Sequence, residues 1–173
     1  HIEQDWKLAG SKIVYFSPLA DDPVPKSDFI YLPGGYPELY AGQLAKNKTF
    51  LESVRNASKE ISVYGECGGY MVLGETLIDD AGKSHKMLNL LDLVTSIEKP
   101  KLTLGYRKLT SVSGPLKGTF TGHEFHYART LEANGKKLFT TRDASDNSLP
   151  NLGLINGRVT VSYTHLRAHE TVL

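Results

Sequence analysis

Two short apolar runs, Asp28-Phe-Ile-Tyr-Leu32 and Ile61-Ser-Val-Tyr64, each break into a glycine-rich turn and then into a helix-forming segment. After the first, Pro33-Gly34-Gly35-Tyr36-Pro37-Glu38 interrupts the backbone and helix formers follow from Glu38 to Ala45. After the second, Gly65-Glu66-Cys67-Gly68-Gly69 leads into the apolar Tyr70-Met-Val-Leu73. Between them Phe50, Leu51, Val54 and Ala57 recur at helical spacing, with Glu52, Arg55 and Lys59 on the opposite face. Strand, turn and helix repeated in this order predict a mostly parallel sheet covered by flanking helices. An earlier run, Lys12-Ile-Val-Tyr-Phe16, is read as a further buried strand.

Beyond the turn at 79–82 the pattern becomes strand-like, with runs at 102–109, 117–128 and 137–141. Asn156-Gly157 lies between two more such runs and predicts a two-residue hairpin that delivers Tyr163 and His165 at the end of a strand. No internal repeat interrupts this order, so the 173 residues are read as one α/β domain with a β-rich C-terminal half. The formal net charge of +1, with no basic stripe, argues against nucleic acid as a partner. No run approaches the roughly 20 apolar residues that span a bilayer and no signal-peptide pattern opens the chain, so a cytoplasmic protein without a membrane partner is expected.

The one cysteine excludes an internal disulfide, and its surroundings decide what it does. Cys67 sits on a strand-to-helix turn with glycines at 65, 68 and 69. A nucleophile on so sharp a turn needs small neighbours, and the start of a helix favours a thiolate. The plain alternative is a small buried Cys in a glycine-rich turn. A thiolate attacking a carboxamide would also need amide donors for the oxyanion, and the Gly68 amide together with the Gly34-Gly35 turn is placed to supply them. For a base the chain offers His1, His85, His123, His126, His165 and His169. His85 lies near a turn and is expected to be solvated. His123 and His126 flank Glu124 but lack the further ligands of a metal site, so a structural hydrogen-bonding role is expected for them and no metal is assigned.

Taken together, Phe16-Ser-Pro-Leu-Ala-Asp21, Leu32-Pro-Gly-Gly-Tyr-Pro-Glu38, Gly65-Glu-Cys-Gly-Gly-Tyr-Met-Val-Leu-Gly74, Leu104-Gly-Tyr-Arg107 and Gly122-His-Glu-Phe-His-Tyr127 resemble, in order, the glutaminase half of the cobyrinic or hydrogenobyrinic acid a,c-diamide synthases. The resemblance runs from about Trp6 to about Val161. It implies a class I glutamine amidotransferase-like (flavodoxin-like) fold, glutamine as substrate, Cys67 as nucleophile and His165 as its base. Many class I glutaminases carry a Glu two residues after that His. Here Arg167 holds the position, and the resemblance implies a Cys-His variant that does without the acidic third member.

The same resemblance implies a P-loop amide-ligase domain N-terminal in the same polypeptide, where ATP and Mg²⁺ activate the a and c carboxylates of the corrinoid. No Gly-x-x-x-x-Gly-Lys-Ser/Thr string occurs here, so no cofactor is expected in these residues and the corrinoid is met only through that domain. Residues 1–161 are read as the amidotransferase domain, shortened by its first strand, and 162–173 as a tail of doubtful origin. On that reading the chain alone hydrolyses glutamine weakly or not at all. A homodimer is one candidate assembly. Two other readings stay open: the glutaminase of another amide synthase, of the cobyric acid synthase or cell-wall type, and a glutaminase-like binding domain without turnover.

Overall fold

The computed structural model describes residues 2–167. In chain order its elements are α1 (Ile2–Leu8), β1 (Phe29–Leu32), α2 (Ala41–Leu44), α3 (Lys48–Ala57), β2 (Ser62–Glu66), α4 (Gly68–Leu73), β3 (Thr76–Ile78), β4 (Ser84–Lys86), β5 (Leu93–Ser96), β6 (Thr103–Ser111), β7 (Gly118–His126), β8 (Arg129–Ala133), β9 (Phe139–Arg142), β10 (Ser148–Leu152), β11 (Leu154–Asn156), β12 (Val159–Ser162) and β13 (His165–Arg167). They form three sheets: a four-stranded sheet ordered β1-β2-β12-β11, a five-stranded sheet ordered β10-β9-β6-β7-β13, and a four-stranded sheet ordered β4-β3-β5-β8.

In the first sheet β1, β2 and β12 run parallel and β11 closes the edge antiparallel. The last four residues of β2 and all of β12 are buried, as central strands covered on both faces must be. Ile30, Leu32, Val63 and Val161 from this sheet pack with Phe50, Leu51 and Val54 of α3 and with the apolar residues of α4. The helix predicted from the 50/51/54/57 spacing is α3. Arg55 does more than face water, because its guanidinium donates to the carbonyls of Met87 and Leu88. A smaller core of Tyr64, Leu109, Leu138, Phe139 and Leu166 joins the first sheet to the five-stranded one.

Two expectations need correction. Residues 12–16 form no strand: they pair with no neighbouring strand, with Val14 and Tyr15 exposed and Phe16 packed against Phe50. High β propensity makes a strand only where a neighbouring strand takes up its backbone groups. The hairpin exists but one residue along. Asn156 pairs with Val159, so the turn residues are Gly157 and Arg158, with Gly157 at φ +56° in the first turn position. Its strand β12 ends at Ser162, and His165 lies in β13, which crosses to pair with β7 of the five-stranded sheet.

Candidate active site

Cys67 follows the last residue of β2 and precedes the first residue of α4, with φ 50° and ψ −101°. A side chain with a β-carbon in that region costs on the order of 1–3 kcal/mol, so surrounding bonds must hold it. The Cys67 amide donates to the Ser162 carbonyl at 2.9 Å, its carbonyl accepts from the Tyr70 amide at 3.1 Å, and the Gly69 amide donates to the Pro33 carbonyl at 3.1 Å. The glycines around it are obligatory. A β-carbon on Gly69 would lie 2.1 Å from the Leu32 oxygen, and one on Gly65 would lie 2.5 Å from a Leu73 methyl.

The turn after β1 is pressed against this elbow. A β-carbon on Gly34 would sit 3.0 Å from Cε1 of His165 and 3.9 Å from Sγ of Cys67; one on Gly68 would sit 2.8 Å from the Gly35 nitrogen. Gly34, Gly35, Gly68, Cys67 and His165 therefore converge. The Gly68 amide opens α4, where first-turn amides have no acceptor within the helix.

His165 is half-buried at this convergence beside Cys67, and its Nδ1 lies 3.0 Å from Oε1 of Glu66. These two partners, Cys67 foremost, push the imidazole up to about 10 from an ordinary 6.5, with partial burial opposing them. The His123 ring stacks on it at 5.1 Å between centroids. The sequence reading missed Glu66. An acidic side chain is in fact present at the histidine, contrary to the reading that the site does without one; it comes from the residue before Cys67 instead of from position 167. The available signal was a lone carboxylate at the end of an otherwise buried apolar strand, next to the candidate nucleophile.

The remaining histidines sort by contact. His85 is buried, not solvated: it lies in β4 with Nε2 at 2.7 Å from Asp79, because the 79–82 turn folds back over it. His126 donates from Nδ1 to the Ala128 carbonyl at 2.8 Å and stacks on Tyr163 at 3.9 Å. Glu124, between the two histidines, pairs with Arg107 at 2.6 Å. Among the described residues no three His, Cys, Asp or Glu side chains converge as metal ligands would. His1 and His169 lie outside the described residues.

The model of the CobB/CobQ-like glutamine amidotransferase domain matches residues 6–172. Hydrogenobyrinate a,c-diamide synthase of Brucella anthropi is 47% identical over 170 residues, covering 96% of this chain and 39% of the relative. The enzyme of that name from Rhodobacter capsulatus is 45% identical over 174 residues, covering 97% of this chain and 40% of the relative. The chain thus spans about two fifths of the length of the curated relatives it matches. Among solved structures, a glutamine amidotransferase crystal structure superposes with a TM-score of 0.52 at 17% identity, over 80% of this chain and 70% of the other. PurLQS from Thermotoga maritima gives 0.51 at 15%, over 84% of this chain and 71% of the other. These two likenesses establish the fold.

Proposed function

The chain belongs to the CobB/CobQ-like glutamine amidotransferase domain family, and from that premise we propose that it hydrolyses glutamine through Cys67 and passes the ammonia to an ATP-dependent ligase that amidates the a and c carboxylates of a corrinoid. One observation carries the proposal: Cys67 stands on a strained elbow with His165 beside it and two glycine backbones closed around the pair.

In this reading His165 takes the thiol proton, and Sγ attacks the carboxamide carbon of glutamine. The amides of Gly35 and Gly68 receive the developing oxyanion, which is worth most when donors are already in place. Collapse expels ammonia, with the imidazolium proton returned to the leaving nitrogen. Water, deprotonated by His165, then cleaves the thioester and releases glutamate. Gly34 contributes by lacking a side chain, which leaves room beside both reacting groups.

The name of the relatives, hydrogenobyrinate a,c-diamide synthase, supports the corrinoid as final acceptor. Their additional length supports a ligase domain elsewhere in such polypeptides. Making an amide from a carboxylate requires activation, which ATP and Mg²⁺ would supply there. The residues here fit neither group, having no phosphate-binding glycine string and, among the described residues, no convergent acidic ligands. No step above runs through them. A surface for the partner is supported by Leu104, Tyr106 and Phe125, exposed on the sheet face that also carries His123 and His165. A reducing cytoplasmic setting suits a reactive free thiol.

The test is glutamate release from glutamine by the chain, with and without a ligase partner. Cys67→Ser should abolish it, and His165→Ala should reduce it by about 10²–10⁴-fold, the usual contribution of a positioned base. Release that survives Cys67→Ser would remove the nucleophile from the scheme.

A further inference from the structure

Glu66 is 5% exposed, yet it ends a strand whose other residues from Val63 onward are apolar or hydrogen-bonded neighbours in the core. A carboxylate so placed is tolerated only if its oxygens are met by donors. Four groups meet it: the Tyr31 hydroxyl at 3.0 Å, the Tyr64 hydroxyl at 3.4 Å, the Leu166 amide at 3.1 Å and His165 Nδ1 at 3.0 Å. Burial, and then the Glu66 charge, raise both phenols well above their ordinary value of 10.0, so they remain donors. The amide and the hydroxyls can only donate to an ionised carboxylate, and the fourth contact then requires a proton on Nδ1 of the ring.

The donors come from both sides of a seam. Tyr31 and Tyr64 belong to the parallel sheet that carries Cys67, while His165 and Leu166 belong to β13 of the antiparallel sheet. We propose that Glu66 is the positioning carboxylate of this site, fixing His165 across the seam with its proton on Nδ1 and leaving Nε2 for the Cys67 proton. The acid ends β2 and the candidate nucleophile is the next residue of the chain, so the geometry that sets one sets the other. Holding a charge beside the ring also favours the imidazolium that forms when the thiol gives up its proton. The charged or titratable groups facing His165 are Glu66 from β2, Cys67 from the elbow and His123 from β7, with Tyr31 and Tyr64 behind Glu66. This role rests on the glutaminase reading above.

The test uses the full chain with ¹⁵N-labelled histidine rings, followed by NMR across pH, together with the rate at which iodoacetamide alkylates Cys67. In the unmodified chain the His165 ring, once neutral, should carry its proton on Nδ1. In Glu66→Gln, with fold checked by circular dichroism, the His165 midpoint should fall by about 1–3 pH units, the usual effect of an adjacent opposite charge. Alkylation of Cys67 at pH 7 should slow by about tenfold, corresponding to one such unit. A merely structural staple would leave the midpoint of a folded variant unchanged, and that result overturns the proposal. If Glu66→Gln does not fold, the unmodified ring decides alone, and a neutral ring protonated on Nε2 overturns the proposal. Failure of the glutaminase reading would look different: Cys67 alkylation unaffected by glutamine, with the His165 titration still governed by Glu66.

Discussion

At the residue scale, the site is an economy of space around one backbone strain. Gly34 is the case that bears on the histidine, since a single methyl there would meet His165 Cε1 at 3.0 Å. Gly34→Ala is expected to leave the melting temperature near that of the parent but to lower glutamine turnover by on the order of 10²-fold, the effect of a displacement of about 1 Å at reacting groups. His165 also carries a pH signature. Its pKa is raised in the folded state, so its contribution to stability is fully present below about 6.5 and is lost as pH rises through about 10. Denaturant unfolding should show the parent's advantage over His165→Gln narrowing between pH 7 and pH values above 10. The strand-to-helix turn at Cys67 and its glycines were legible in the sequence because so sharp a turn constrains its immediate neighbours. Glu66 was not, because its role depends on a histidine 99 positions away reaching back across the fold.

At the element scale, β2, the elbow and α4 act as one piece with the β1 turn. Gly69 has no room for a side chain, its would-be β-carbon falling 2.1 Å from the Leu32 oxygen. Gly69→Ala should therefore separate α4 from β1 and destabilise the chain by at least the roughly 1–3 kcal/mol typical of overpacking, read as a fall in melting temperature together with loss of Cys67 reactivity. Elements whose signal is local were readable: the amphipathic stripe of α3 and the strand-turn-helix around Cys67 fell where expected. Residues 12–16 did not, since apolar content does not reveal whether a partner strand lies alongside. The hairpin slipped by one residue because Asn-Gly and Gly-Arg both contain a glycine able to take the positive φ, and the pairing of β11 with β12 chose between them.

At the scale of the whole molecule, the candidate catalytic pair is assembled from two sheets, with Cys67 at the end of β2 and His165 on β13. The sequence indicated a parallel sheet and a β-rich second half; it held no local sign that the second half divides into two further sheets, because such division is a matter of long-range pairing. The exposed apolar side chains beside the site give a prediction at this scale. Tyr106→Asp and Phe125→Asp should alter stability by no more than about 0.5 kcal/mol, as exposed substitutions do, but should weaken the stimulation of glutaminase activity by the ligase portion of a relative. The central claim, that Cys67 is a glutamine-directed nucleophile, is tested most directly by treating the chain with a chloroketone analogue of glutamine and locating the adduct by peptide mass spectrometry. The account predicts a single adduct on Cys67, slowed by added glutamine and slowed again in His165→Ala. An unlabelled Cys67, or labelling that glutamine does not affect, would contradict it.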